Sequence, residues 1–526
     1  MNKLIISIII VLVIAIGISA FFVFQKPQTE PSTLLKQSLF GTMLAFNINE
    51  APMHTPGIID TLRKGWTEFK KDNSAYQNLL SNLKKLIQDR TKLVKTTGFS
   101  IDRELVPYFT WNVIEPQKGK FDWELTDIYV KGATDVGVKI SAVIQPFASW
   151  DQRDTQTSKE MLDFAYFDYK AGPPNDLAEY KNFLTKTVER YKDKVAVWEI
   201  ANEPENPGGG YQNNPEGYFD LVKITSETIK KADPKAKVTN GGAMPIVGMR
   251  ESDSFKAYWT KFFALGGNQY IDYFNVHYNI ERSQDVKLDP AIFEQDLVAF
   301  NNLMDKNGGR KPLYLTEFGI YSGAPSEPAP MAGGPTQEQG QIQNQPPSGG
   351  KCGDGICDAF EKANPNACSQ DCGGSMPSGS PSQNTQSNQG KTLPNLSENV
   401  QAALYFKDSI LAFANGIKVI FIDLIGPDNS IVGSSMAFNT DGQPRLFLTT
   451  LKTINQKLAG FSKVEKIVDG QYKFTIGNKI IYALWSGNLP TAISGQVKVI
   501  DLTGEEKSMN AREIEFSNQH PVLIEI

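Results

Sequence analysis

Cysteine is absent from nearly the whole chain of 526 residues: the four present fall together between Cys352 and Cys372. Histidine is almost as scarce, with only His54, His277 and His520, which argues against a histidine-built metal centre. An excess of basic charge is lacking too. The 53 Lys and Arg against 58 Asp and Glu leave a net charge of -5, without the basic bias expected of a nucleic-acid partner. Charge is missing altogether from Leu4 to Phe24, an apolar run of about the 20 residues needed to cross a bilayer.

That run is expected to span a membrane. A cleaved signal has an apolar core of roughly 7–15 residues and a small-x-small exit, whereas Phe21, Phe22, Val23 and Phe24 follow Ala20 here. Only Lys3 precedes the run, so the positive-inside tendency puts the following domain outside the cytoplasm. The expectation is a single-pass protein of the cell membrane, or a secreted one if residues 1–24 are removed. Residues 25–37, rich in Pro, Gln, Thr and Lys, read as a polar tether.

From residue 38 strands and helices alternate. Strand-like segments begin near Phe40, Leu105, Val138, Val195, Lys237, Tyr273, Pro312 and Ile417, the second being the least defined. Tyr76–Lys95 and the stripe of Leu177, Tyr180, Phe183, Leu184, Val188 and Tyr191 have helical spacing. Eight such repeats favour a closed α/β (β/α)8 barrel over residues 38–460. A last helix, Arg445–Leu458, leads to a tail, 461–526, whose alternating segments Tyr472–Ile476, Ile480–Trp485 and Gln496–Ile500 suggest a small β-sandwich.

In such a barrel the reactive groups sit at the C-terminal ends of the strands. The fourth strand stops at Asn202-Glu203-Pro204, where proline ends the pairing, and the seventh stops at Glu317-Phe318-Gly319. Two carboxylates on one rim suit glycosidic bond cleavage, in which one carboxyl protonates the leaving oxygen and the other meets the oxocarbenium-like carbon. A separation of roughly 5–5.5 Å goes with retention of configuration. Trp111, Trp150 and Trp485 offer flat faces for sugar rings, foremost Trp150 at the end of the third strand beside Asp151. Glu199, inside the fourth strand, reads as a buried partner for a basic residue, and Glu115 as a structural turn acid.

The segments Trp198-Glu199-Ile200-Ala201-Asn202-Glu203-Pro204 and Leu315-Thr316-Glu317-Phe318-Gly319 resemble glycoside hydrolase clan A, especially families thirty-nine and five. Trp111-Asn112-Val113-Ile114-Glu115-Pro116 with Gly119 and Phe121-Asp122-Trp123, Val276-His277-Tyr278, and Asp233-Pro234 match the same layout. The resemblance implies that Glu203 is the acid/base, Glu317 the nucleophile and Asn202 the partner of the sugar 2-hydroxyl, with His277 and Tyr278 lining the pocket. It also implies a β-linked oligo- or polysaccharide substrate and no cofactor for catalysis. Arg103 matches the clan's second-strand arginine only loosely, being farther from Trp111 than the pattern leads one to expect, and Asp423 stands where a tryptophan is frequent.

Residues 322–397, dominated by Gly, Pro, Ser, Gln and Asn, interrupt the repeats after the seventh strand and lack the apolar content for a core. Within them, 352–372 resembles a short Cys-Gly-Asp-Gly module. Cys352, Cys357, Cys368 and Cys372 suit two disulfides in an oxidising compartment, with three pairings open. Asp354, Asp358, Glu361 and Asp371 supply oxygen ligands for a structural Ca2+, against a knob without metal or a four-cysteine zinc site. For the whole chain, the alternative to a hydrolase is a non-catalytic carbohydrate-binding or adhesive surface protein on the same barrel.

Overall fold

The computed structural model describes residues 38–43, 74, 77, 81, 84, 97–104, 108–152, 173–206, 209–243, 252–279, 289–320, 396–423, 437 and 443–526. The expected membrane segment, the tether, most of the first helix and the whole cysteine-bearing insertion with its disulfide and Ca2+ candidates lie outside these residues. Among the described residues no helix is long and apolar enough to cross a membrane. The chain divides into two compact units, 1–326 with 393–526, and 327–392.

Eight parallel strands form one sheet: β1 (Phe40–Met43), β2 (Ile101–Glu104), β3 (Lys139–Ile144), β4 (Val195–Ile200), β5 (Val238–Asn240), β6 (Phe274–Asn279), β7 (Leu313–Gly319) and β8 (Ile417–Asp423). Their order is β5-β4-β3-β2-β1-β8-β7-β6. The ring closes between β5 and β6 through the bridges Thr239↔Tyr273 and Ala243↔Val276. Midway along that seam the Asn240 side chain takes the place of a strand partner. Its Oδ1 accepts from the Asn275 backbone N–H at 2.8 Å and its Nδ2 donates to the Asn275 carbonyl at 3.0 Å.

Helices cover the outside: α1 (Trp111–Ile114), α2 (Glu124–Asp135), α3 (Ser149–Gln152), α4 (Leu177–Tyr191), α5 (Pro215–Ala232), α6 (Asp253–Ala264), α7 (Pro290–Lys306), α8 (Glu398–Ala414) and α9 (Leu446–Leu458). Asp176, Asn214, Ser252, Asp289 and Ser397 cap five of them by accepting first-turn N–H groups.

The period of two along each strand sorts the side chains. Ile101, Val197, Tyr273, Tyr314, Val419 and Phe421 meet inside the barrel, while Trp198, Ile200, Phe274, Val276, Leu313, Leu315, Ile420 and Ile422 face the helices. Gly41 belongs to the interior packing, because a Cβ there would lie 2.6 Å from the Phe421 ring.

The second strand lies earlier than the residues near Leu105 had suggested. Asp102, Arg103 and Glu104 disguise it, since three successive charges read as exposed chain. In place of solvent, Asp102 accepts hydrogen bonds from Thr42 (2.7 Å) and Tyr129 (2.9 Å), and Arg103 turns into the barrel.

The alternating tail is one antiparallel sheet of β9 (Lys463–Val468), β10 (Gln471–Ile476), β11 (Lys479–Leu484), β12 (Gln496–Ile500), β13 (Glu506–Asn510) and β14 (Val522–Glu525), in the order β13-β12-β14-β11-β10-β9. One face, with Tyr472, Phe474 and Trp485, packs on Phe406 of α8 and on Phe461. On the other, Tyr482, Leu484, Val497, Val499, Val522 and Ile524 are covered by connections carrying Leu489, Ile493, Ile514 and Phe516. The second layer of this sandwich is made of loops.

Candidate active site

Four strand ends converge on one buried cluster. Arg103, two residues beyond Ile101 on the inward face of β2, is wholly buried. Its Nε and Nη2 donate to the two oxygens of Glu199 on β4 at 2.8 and 2.7 Å. Nη2 also donates to Asn202 Oδ1 at 2.7 Å, and Nη1 to Glu317 Oε1 at 3.0 Å. Burial works against this charge, yet Glu199 and Glu317 together hold the guanidinium pKa above its ordinary value. Glu199 is thus the buried partner its position suggested.

Glu203 follows β4 in a left-handed conformation, with φ +41°. A non-glycine residue there costs about 1–3 kcal/mol and persists only where its surroundings enforce it. The enforcement is visible. The Glu203 carbonyl accepts from the Asn206 N–H at 3.0 Å, and its Oε2 accepts from Asn206 Nδ2 at 2.9 Å. Gly209 presses against the same carbonyl so closely that a Cβ would stand 1.8 Å from it. Tyr218 of α5 steadies the strand exit by donating to the Ile200 carbonyl (2.9 Å) and accepting from the Gly241 N–H (2.7 Å).

Glu317 reaches the cluster through an irregularity. The β7–β8 register shifts between Leu315 and Phe318, and the β6–β7 register between Val276 and His277. The extra residue lets the neighbours Thr316 and Glu317 both point inward, which regular alternation forbids.

His277 joins the two carboxylates. Its Nδ1 lies 2.8 Å from Glu203 Oε1 and 3.6 Å from Glu317 Oε2. Its Nε2 lies 3.0 Å from Thr316 Oγ1, which itself donates to Asn275 Oδ1 at 2.7 Å. A hydroxyl has one proton, so Thr316 accepts from His277 and Nε2 carries a hydrogen. Nδ1 and Glu203 Oε1 therefore share a single proton across their 2.8 Å contact.

Glu203, Glu317, Asn202 and His277 thus come together. Tyr278 does not join them: the alternation that turns His277 inward turns Tyr278 outward, against Phe293 of α7 at a ring separation of 4.5 Å. Trp111 also corrects an expectation. It is fully buried between Trp150, Tyr180 and Phe183, with its indole N–H on Glu115 Oε2 at 2.7 Å, and has no face to offer a sugar. Burial pushes the Glu115 carboxyl upward. Trp150, half-buried and donating to the Glu115 carbonyl at 2.7 Å, keeps an open edge.

No protein-family model matches the chain. Over 132 residues it is 33% identical to the probable mannan endo-1,4-beta-mannosidase C of Aspergillus terreus, covering 23% of this chain and 32% of the relative. Over 127 residues it is 28% identical to the endo-1,4-beta-xylanase A of Halalkalibacterium halodurans, covering 22% and 32%. The matched segment thus spans about a third of each curated relative. Among solved structures, a family 39 glycoside hydrolase from Bacteroides cellulosilyticus WH2 superposes with a TM-score of 0.52 at 15% identity, over 83% of this chain and 77% of that one. A monomeric beta-xylosidase from Caulobacter crescentus CB15 gives 0.50 at 12% identity, over 93% and 96%. The chain has the barrel fold of family 39 and clan A glycosidases.

Proposed function

We propose that this chain is a retaining glycoside hydrolase acting on a β-linked glycan outside the cytoplasm, with Glu203 as acid/base and Glu317 as nucleophile. The observation that carries the reading is the convergence of the two glutamates on His277, with one oxygen of each within 4.8 Å of the other. Inverting enzymes hold their carboxyls about 6.5–9.5 Å apart to admit a water, whereas retaining ones hold them about 5–5.5 Å apart.

In this reading Glu317 Oε2 attacks the anomeric carbon while Arg103 restrains Oε1, and Glu203 gives its proton to the leaving oxygen. A covalent glycosyl–enzyme forms. Glu203, now a base, takes a proton from water, which displaces Glu317 with a second inversion. Asn202 Oδ1 is held by Arg103, so its Nδ2 serves the sugar 2-hydroxyl. Protein groups and water suffice for every step. The names of the mannosidase and xylanase relatives make mannan and xylan the first substrates to try. The apolar run 4–24 supports a membrane anchor with the barrel outside, carrying the loop insertion 322–397 and the tail 461–526.

The test is hydrolysis of aryl β-glycosides, mannan and xylan by the full-length chain in mild detergent. Glu203→Gln is expected to lower turnover about 10²–10⁴-fold, and Glu317→Gln to abolish it. With azide, Glu317→Ala should yield a glycosyl azide of inverted configuration. Activity that survives in both glutamine variants would sink the assignment, and glycan binding without turnover would favour a binding protein.

A further inference from the structure

The cluster that would protonate a leaving group is also a donor set for a metal. One nitrogen of His277 and one oxygen each from Glu203 and Glu317 lie within 4.8 Å of one another, all three residues buried. His277 Nδ1 stands 2.8 and 3.6 Å from the two carboxylate oxygens, about the separation of roughly 3.3 Å that donors take around a tetrahedral zinc, and the two oxygens, within 4.8 Å of each other, would close up on the ion.

An independent feature points the same way. Metal-binding histidines characteristically donate their second ring N–H to a neighbouring acceptor, which fixes the tautomer and aims the free lone pair. His277 Nε2–H on Thr316 Oγ1, itself anchored on Asn275, is that arrangement, and it turns the Nδ1 lone pair toward both carboxylates. The charge is also suited. Arg103 stands against Glu199 and Glu317, so with Glu203 ionised and its shared proton removed, one cation faces three carboxylates. A divalent ion balances the remainder.

We propose that Glu203, His277 and Glu317 bind one zinc-type divalent cation, which takes the place of the proton shared by His277 and Glu203 and so closes the site. Imidazole and carboxylate donors suit Zn2+ and Co2+; Ca2+ and Mg2+ prefer oxygen-only sets. Only the expected loss of turnover rests on the hydrolase reading; the metal site itself does not.

Co2+ is the probe, because its visible absorption reports coordination directly. The full-length chain should take up one Co2+ with a nitrogen–oxygen type d–d spectrum and without thiolate charge-transfer bands, reversed by EDTA and displaced by Zn2+. Glu203→Gln keeps the shape of the site and should weaken Co2+ at least about tenfold; Glu317→Gln provides a second readout, with folding checked by circular dichroism. Zn2+ should inhibit aryl glycoside hydrolysis competitively. Absent binding, binding undiminished in the folded Glu203→Gln protein, or bands of thiolate type alone would overturn the proposal. Co2+ bound as described by a chain that cleaves no glycoside leaves the metal site standing and removes the hydrolase; hydrolysis without Co2+ binding does the reverse.

Discussion

His277 owes its position to a residue with no side chain. A Cβ on Gly242 would stand 1.8 Å from His277 Nε2, so the imidazole occupies the space that glycine leaves. Gly242→Ala should therefore swing the ring off Thr316 and away from Glu203. A misplacement of about 1 Å costs on the order of 10²-fold in rate; the expected outcome is a fall of that size in kcat with a smaller change in KM, measured on an aryl glycoside. A variant with wild-type kcat would show that His277 does not set the acid/base. Glu203 and Glu317 were legible in the sequence because each ends a hydrophobic strand in a short motif. Thr316 and Asn275 were not, because their roles arise from a strand irregularity and a barrel seam that no local pattern displays. Arg103 was visible but undervalued, hidden between two other charges in a strand.

At the scale of elements, the seam between β5 and β6 and the helix α8 each carry a buried polar group with a measurable consequence. Asn240→Leu would leave the Asn275 N–H without its acceptor at the midpoint of the seam. A buried unsatisfied amide costs about 1–3 kcal/mol, so urea unfolding should shift to lower concentration, and activity should fall because Asn275 supports Thr316. Unchanged stability would mean that the bridges alone close the ring. In α8 every residue from Gln401 to Phe413 is buried, and Asp408 Oδ1 has no hydrogen-bond partner among the described residues. Burial pushes this carboxyl up to about 8, with Lys407 opposing and Asp289 adding to the shift. The unfolded chain releases the same proton near the ordinary value of about 3.9. Between these limits the folded state holds the extra proton, so stability from this group falls as pH rises, by about 1.4 kcal/mol per unit. Asp408→Asn should leave thermal stability near wild type at pH 4 and raise it at pH 8; an equal shift at both would exclude the carboxyl as cause. Helix α4 was legible from its apolar stripe, and the strands β3, β4 and β8 from their short apolar runs. The β2 segment was displaced because burial of Asp102 and Arg103 depends on partners far away in sequence.

For the molecule as a whole, the barrel and the tail sheet are bound by more than apolar contact. Helix α9, itself tied to the barrel by the Leu39 N–H on Asn455 Oδ1 at 2.8 Å, holds the sheet: Thr450 Oγ1 donates to the Leu502 carbonyl at 2.7 Å, and Lys457 pairs with Glu506 at 2.6 Å and Glu525 at 3.3 Å. The eightfold repeat made the barrel legible, whereas the tail sheet was only half visible: β9 and β13 carry alternating charge and lack the apolar rhythm that marked β10, β11 and β12. A chain ending after residue 520 should retain those bonds except the one to Glu525, yet lose β14, and is expected to unfold at lower temperature and to aggregate; equal melting would show the sheet to be dispensable. The position of β14 has a further consequence for biosynthesis. It follows the other five strands in the chain but stands between β12 and β11 in the sheet. On the ribosome the hairpins β10–β11 and β12–β13 can form early, but they remain two separate pieces with open edges until translation has passed residue 525. Until β14 is made, a nascent chain therefore displays unpaired strand edges, the kind of surface on which chains aggregate.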